Sequence, residues 1–225
     1  MTLNWQVDSE LFKMMKDQLF SAVLGDILDQ MGLVHQFLPA EIMPLETSML
    51  VAGRAMPVLL QDIGGESGTT GKPFGLMLEA LDDLKPYEVY LASGGSPNYA
   101  LWGELMSTRA MKLEAAGAVL NGYSRDTDGI LELGFPTFSY GCYAQDQAPR
   151  GEVIDFRVNI KIGSVSIQPG DIIFGDRDGV LVIPNSVEQE VIEGAIEKVE
   201  GENLVRKAIQ NGMSACDAFE KYGIM

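Results

Sequence analysis

Apolar residues recur at helical intervals toward both ends of the chain, whereas the centre and the stretch after residue 150 carry short apolar runs broken by Gly, Pro and Asp. This spacing predicts helices over 9–20 and 21–31. In the second, Val23, Ile27 and Met31 share a face and Gly32 supplies the stop. Short strands are expected over 49–51 and 55–60. A glycine-rich stretch over 62–71 then reads either as a surface connection or as a loop covering a substrate. A helix over 74–84 and a strand over 87–92 follow. The next helix is expected over 100–116, with Trp102, Leu105, Met106, Ala110, Leu113 and Ala116 at helical spacing and Gly117 in the position just past its end. A strand over 118–123, a short helix over 127–133 and a strand over 136–140 complete a strand–helix alternation, which implies parallel strands joined by right-handed crossovers.

Beyond residue 150 the pattern turns to strands, over 152–161, 164–167, 172–175 and 180–183, with turns at Gln168-Pro169-Gly170-Asp171 and Asp176-Arg177-Asp178-Gly179. A long helix over about 186–211 is expected to open on a capping box of Ser186 and Gln189 and to carry Val187, Val191, Ala195 and Val199 as its stripe. Gly201 is a place where it can bend, Asn211-Gly212 ends it, and Ser214 with Asp217 starts a last short helix. The chain thus reads as one α/β domain over 1–225, with a central mixed or parallel sheet and helices at both ends. Its long last helix suits contact with another subunit as well as packing on its own domain.

Composition narrows the chemistry. Hydrophobic residues make up 46% and charged residues 21%, a balance that supports a folded core. The net charge of -16 argues against nucleic acid and against anionic membranes, since both need a basic face. No basic flank followed by an apolar run occurs over 1–16, so a cytoplasmic protein is expected. Cys142 and Cys216 lack zinc spacing and read as free thiols. With His35 the sole histidine, His-based metal clusters and Ser-His-Asp machinery are disfavoured, and no nucleotide-binding glycine motif follows a strand.

In open α/β sheets, ligands collect beyond the carboxyl ends of parallel strands, where helix N-termini offer free N–H groups. Two such places stand in consecutive units: Gly94 to Glu104, and Ser124-Arg125-Asp126. If their strands are neighbours, Glu104, Arg125 and Asp126 share a rim. Asp126 can bind Mg²⁺ or Mn²⁺, ions that keep several waters and take few protein oxygens. Glu104 can hold those waters or handle a proton. The N–H groups of Leu105 and Met106 can accept a small carboxylate, and Arg125 can bind a keto-acid oxygen or the enolate derived from it. Plainer readings stand beside these: Asp126 as an N-cap, Arg125 as its ion-pair partner, and Glu104 as a complement to the helix dipole.

At these residues the chain resembles the 4-hydroxy-4-methyl-2-oxoglutarate aldolases and the regulators of RNase E activity A. The resemblance is carried by Tyr99-Ala100-Leu101-Trp102-Gly103-Glu104-Leu105-Met106, Ala115-Ala116-Gly117-Ala118-Val119 and Asn121-Gly122-Tyr123-Ser124-Arg125-Asp126. Val51-Ala52-Gly53-Arg54-Ala55, Pro169-Gly170-Asp171, Gly175-Asp176, Asp178-Gly179-Val180 and Phe219-Glu220-Lys221-Tyr222-Gly223 extend it over most of the chain. It implies a swivelling β/β/α-type domain, assembled as a homotrimer or a homohexamer. It also implies a class II, magnesium-type pyruvate aldolase acting on a small 2-oxo acid, with oxaloacetate decarboxylation besides.

On that resemblance Asp126 is the metal ligand, and Arg125 with the backbone of Gly103, Glu104, Leu105 and Met106 holds the pyruvyl group. Glu104 anchors metal-bound water, and Glu202 reaches the site of a neighbouring subunit, with Glu197 and Glu200 as alternatives. One departure stands out: the Asn and His that bind the substrate's tail in such aldolases are replaced near Phe74 and Leu78. The other branch of the resemblance is a non-catalytic regulator that binds a ribonuclease through its acidic surface.

Overall fold

The computed structural model describes residues 5–64 and 71–224. Two helices open the chain, α1 (Asp8–Gln18) and α2 (Ser21–Gln30). The strands β1 (Met43–Pro44) and β2 (Val51–Asp62) lead to α3 (Met77–Asp82). Next come β3 (Glu88–Ser93), β4 (Ala100–Trp102), α4 (Glu104–Lys112), β5 (Gly117–Leu120), β6 (Tyr123–Ser124), α5 (Thr127–Leu133) and β7 (Thr137–Ser139). The second half holds β8 (Gly151–Phe156), β9 (Ile160–Ile162), β10 (Val165–Ile167), β11 (Ile172–Asp176) and β12 (Gly179–Ile183). A 3-10 turn over Asn185–Val187 leads into α6 (Glu188–Gln210), and α7 (Ala215–Tyr222) ends the chain.

The main sheet runs β1-β7-β5-β3-β2-β11-β12, with β8 on β2 as an eighth strand. The expected parallel set is present, since β2, β3, β5 and β7 pair parallel in succession. Strand β2 is long enough to serve two partners on its far edge, β11 along 51–54 and β8 along 58–62. Pro57 sits at the changeover. Its carbonyl accepts from Arg157 N at 2.8 Å, so its missing N–H lies on the side where neither β11 nor β8 pairs with it, and no ladder bond is lost. Helices cover one face of the sheet, α3, α4 and α5 over one apolar cluster and α1, α2 and α6 over another, while the opposite face packs against β9 and β10. Near-continuous burial along β2 follows from being covered on both faces.

Several elements differ from the sequence expectation, each for a local reason. The strands expected over 49–51 and 55–60 are one strand, because Gly53 and Arg54 pair within the sheet and do not break it. The helix expected over 74–84 shrinks to α3, since Phe74 (φ 63°) and Gly75 (φ 66°) are left-handed. The helix expected over 100–116 begins only at Glu104, because 100–102 pair as a strand. It ends before Glu114, which lies at φ 61°. Gly117 therefore caps nothing and starts β5, where a Cβ would come within 2.7 Å of Pro136 O.

The strand expected over 152–161 is two, β8 and β9, parted at Arg157 (φ 56°). The Ser186–Gln189 capping box does not form: Val187 occupies the cap position of α6, and no side chain caps there. Gly201 does not interrupt α6. It clears space for Ile224, whose Cδ1 would lie 2.4 Å from a Cβ at residue 201. The last helix does start as expected, with Ser214 Oγ accepting from Asp217 N at 3.1 Å.

Two polar ties hold these elements. Arg54, on β2, donates to Asp8 of α1 (Nη2 to Oδ1, 2.8 Å) and to Glu188 of α6, and lies 5.5 Å from the Phe12 ring. Ahead of β4, Asp62 Oδ1 accepts from Tyr99 OH at 2.7 Å and from Ser96 N at 2.9 Å. Burial acts to raise the Asp62 pKa, but these donors outweigh it and hold the carboxyl below its ordinary value. The glycine-rich stretch expected over 62–71 lies at 65–70 outside the described residues.

Arg54→Ala is expected to lower stability to urea by about 2–4 kcal/mol, because it leaves a largely buried Glu188 without its cation. A loss below about 0.5 kcal/mol contradicts a structural role for this tie. The Asp62 clamp contributes above the ordinary carboxylate pKa and is lost as pH falls through the lower folded value. Asp62→Asn is accordingly expected to flatten the loss of thermal stability below about pH 4; an unchanged acid limb contradicts the clamp.

Candidate active site

The segments that follow β3, β5 and β7 continue past the main sheet into a small parallel layer at its carboxyl rim. There β4 pairs with β6, Ala100 bridges to Asp146, and Ser124 bridges to Cys142. Trp102 anchors the layer to the core. Its ring stacks on Phe135 at 5.9 Å and tilts against Tyr90 at 4.8 Å, and its Nε1 donates to the buried Ser107 Oγ at 2.7 Å. That hydrogen bond ties β4 to the first turns of α4 and fixes where the helix begins.

The beginning of α4 is unusual in what it lacks. The first helical hydrogen bond runs from Ser107 N to Gly103 O at 3.1 Å, and no side chain caps the end. The N–H groups of Glu104, Leu105 and Met106 therefore stand ahead of the ladder at the positive end of the helix. Gly103 is extended (φ -155°, ψ -177°), a shape open to any residue, so its need for glycine is one of space. A Cβ there would lie 2.7 Å from Asp126 Oδ2. The Asp126 carboxylate thus fills the room left beside the start of α4.

Asp126 itself stands at the cap position of α5 in the left-handed region (φ 55°, ψ 39°), yet its side chain caps nothing. The N-cap reading of this residue therefore fails in the structure. The left-handed backbone turns the carboxylate away from α5, and such departures concentrate at functional sites. Arg125 is fixed through its backbone N–H, which donates to Trp102 O at 2.9 Å. Its guanidinium lies between two carboxylates, Asp126 Oδ2 at 3.8 Å from Nε and Asp146 Oδ1 at 3.5 Å from Nη1.

A cleft of about 340 Å³ opens here. Gly103, Leu105, Met106, Arg125 and Asp126 all line it, so five of the residues singled out by sequence meet at one place. The Glu104 side chain lies across α5, where a Cβ on Gly129 would come within 2.6 Å of its carboxyl group. Glu202 does not line this cleft. It borders a groove at the far end of α6 with Val205, Arg206 and Ile224, and Glu197 and Glu200 border another groove on the same helix. His35 is exposed and away from the cleft, and both cysteines are free and exposed.

Asp146 and Gln147, which also line the cleft, were not found from sequence. They lie in an irregular stretch without periodicity, and long-range contacts bring them in: the bridge from Ala100 to Asp146 and the ion pair of Asp146 with Arg125. Gly129 was missed as well; a glycine inside a short helix is the signal that marks it.

Among the described residues, no three of His, Cys, Asp and Glu converge as a metal cage. What the cleft offers is one uncapped, half-exposed carboxylate with room around it. That donor set fits an ion of the magnesium type, which retains most of its water, and not a dehydrated zinc or calcium site. Among the described residues no helix is long and apolar enough to cross a membrane.

Comparison with known proteins places these features in a family. The RraA-like family, described as Aldolase/RraA, matches residues 21–182. Protein DlpA of Legionella pneumophila is 31% identical over 203 residues; the match takes in 90% of this chain but 32% of that protein, so the chain spans about a third of that relative. A Halalkalibacterium halodurans protein provisionally named 4-hydroxy-4-methyl-2-oxoglutarate aldolase is 31% identical over 197 residues, 87% of each chain. In structure, Streptomyces coelicolor RraAS2, described as an unusual member of the RNase ES inhibitor RraA protein family, superposes with a TM-score of 0.80. It covers 90% of this chain and 99% of its own at 23% identity, a likeness of fold.

Gly103→Ala is expected to fold with a stability loss of no more than about 1 kcal/mol, because the atom displaced is the end of a half-exposed side chain. A crystal structure of the variant is expected to show the Asp126 carboxylate moved off the start of α4. A carboxylate left in place contradicts the close fit.

Proposed function

We propose that this chain, which belongs to the RraA-like (Aldolase/RraA) family, is a divalent-metal-dependent carbon–carbon lyase that cleaves a 4-hydroxy-2-oxo acid and releases pyruvate, with oxaloacetate decarboxylation as a companion activity. The observation that carries this reading is the meeting, in one cleft, of an uncapped helix start, a guanidinium set between two carboxylates and an uncapped carboxylate. The provisional aldolase name of a relative with 31% identity over 87% of both chains supports it.

The division of labour follows from the charges. The N–H groups of Glu104, Leu105 and Met106 accept the substrate's 1-carboxylate, as helix starts accept small anions. Asp126 is the residue that would hold Mg²⁺ or Mn²⁺, which when bound supplies a Lewis acid next to the 2-oxo group. Arg125 donates to the oxygen that gains charge as the carbon–carbon bond breaks. Glu104, whose side chain lies across α5 and outside the cleft lining, would act on the proton that leaves the 4-hydroxyl oxygen only through intervening water.

Glu202 lies outside the cleft of its own chain, so a part for it in proton transfer requires a second copy to present α6 to this rim. Leu204, Ile209 and Phe219 on α6 and α7, and Leu105 at the cleft, are exposed apolar residues that such an assembly would cover, which supports a homotrimer or a homohexamer.

Pyruvate methyl protons are expected to exchange in heavy water with Mg²⁺ present and to stop exchanging after chelation. Asp126→Ala is expected to reduce exchange to background and Arg125→Ala by about 100- to 1,000-fold, as loss of a transition-state donor does. Both residues are exposed enough for the variants to fold. Absence of exchange in folded, magnesium-supplemented protein contradicts the lyase reading and favours a protein-binding regulator of a ribonuclease.

A further inference from the structure

The cleft has two chemically different halves. One holds Gly103, Arg125 and Asp126; the other is a wall of Phe74, Met77, Leu78 and Leu81, contributed by α3 and the turn before it. Arg125 is the only cation among the described lining residues, and it already faces two carboxylates, Asp126 and Asp146. The remaining polar side chain is Gln147. It is 2% exposed, and its Nε2 has no hydrogen-bond partner among the described residues. A buried amide left unpaired in a native fold calls for a partner that arrives from elsewhere.

Resting on the lyase reading above, we infer that the α3 wall selects the substituent on C4 of the substrate, and that this substituent is an uncharged branched or aromatic group and not a second carboxylate. A carboxylate placed against the wall would meet, from the cleft's own chain, apolar side chains, no cation beyond Arg125 and two acidic neighbours. Taking it out of water would go uncompensated. An apolar group gains with every methylene it buries there. The Gln147 carboxamide suits a hydroxyl or keto oxygen and is too weak a donor to offset a full negative charge.

The reaction balances without a co-reactant. The C4 hydroxyl gives up its proton and the C3–C4 bond breaks. The bonding pair passes to C3 as the enolate of pyruvate, C4 leaves as an apolar aldehyde, and C3 takes up a proton. The reaction that supplies such a substrate joins pyruvate to an apolar aldehyde, or hydrates and reshapes an unsaturated 2-oxo acid to the same skeleton.

The test compares 4-hydroxy-2-oxo-4-phenylbutanoate with 4-hydroxy-2-oxoglutarate by kcat/KM for pyruvate release. In parallel, calorimetry compares binding of the unreactive 2-oxo-4-phenylbutanoate and 2-oxoglutarate, all with Mg²⁺. The phenyl compound is expected to be favoured by at least about tenfold in both measurements. Leu78 is exposed enough to accept a longer side chain, and Leu78→Arg sets a cation on the wall; it is expected to reverse the preference. A dicarboxylate bound and cleaved as well as the phenyl compound, or an unchanged ratio in Leu78→Arg, overturns the inference. Pyruvate exchange by the unaltered protein then still stands for the lyase reading. Binding preference without exchange leaves the wall's selectivity in place and removes the lyase; neither binding preference nor exchange removes both.

Discussion

The Asp126 carboxylate occupies the space that a side chain at residue 103 would need, and the rim of this protein is organised around that contact. Glycine at 103 lets a negative group lie against the positive end of α4 without closing off the helix's free N–H groups. The left-handed backbone at Asp126 is the other half of the arrangement. It turns the carboxylate out of the capping role its position suggests and frees it for something outside the chain. Arg125, one residue earlier, is held by its own backbone to Trp102 O, and its guanidinium lies between the Asp126 and Asp146 carboxylates. Charge, vacancy and helix end come together because two consecutive strand–helix units deliver them to the same rim.

That delivery depends on the sheet. Parallel pairing of β3, β5 and β7 sets three chain segments leaving in the same direction, and the second layer of β4 and β6 catches two of them. The Trp102–Ser107 hydrogen bond and the stacking of Trp102 on Phe135 then join this layer to the core. Long β2 supports the group from beside β3, with one edge divided between β11 and β8 so that both halves of the chain meet on it. The terminal helices cluster on the same face of the sheet as α3, α4 and α5 but at its other end, away from the rim, and Arg54 ties α1 and α6 to β2 there.

The parts of this account legible in the sequence are those with strictly local causes. Ser214 ahead of Asp217 acts through its own hydroxyl and Gly32 after α2 through its left-handed backbone, and each appears where spacing predicts it. Arg125 and Asp126 stood out because they follow a strand and precede a helix. The misreadings share a different cause. Ala100, Leu101 and Trp102 are all buried, and a fully buried run of three has no period to separate strand from helix. Ser186 and Gln189 had the right spacing for a capping box, but a 3-10 turn displaced the helix start to Glu188. Asp146 and Gln147 reach the cleft through the bridge to Ala100 and the pairing of Asp146 with Arg125, long-range contacts that no local pattern encodes.

The account's central claim is that Asp126, Arg125 and the start of α4 form one binding site for a metal and a small 2-oxo acid. A crystal grown with Mn²⁺ and oxalate, a mimic of the pyruvate enolate, tests it most directly through the anomalous signal of manganese. The account predicts manganese at the Asp126 carboxylate, with oxalate lying between the Arg125 guanidinium and the N–H groups of Glu104, Leu105 and Met106. Manganese and oxalate found together elsewhere on the chain, with this cleft holding neither, would contradict it.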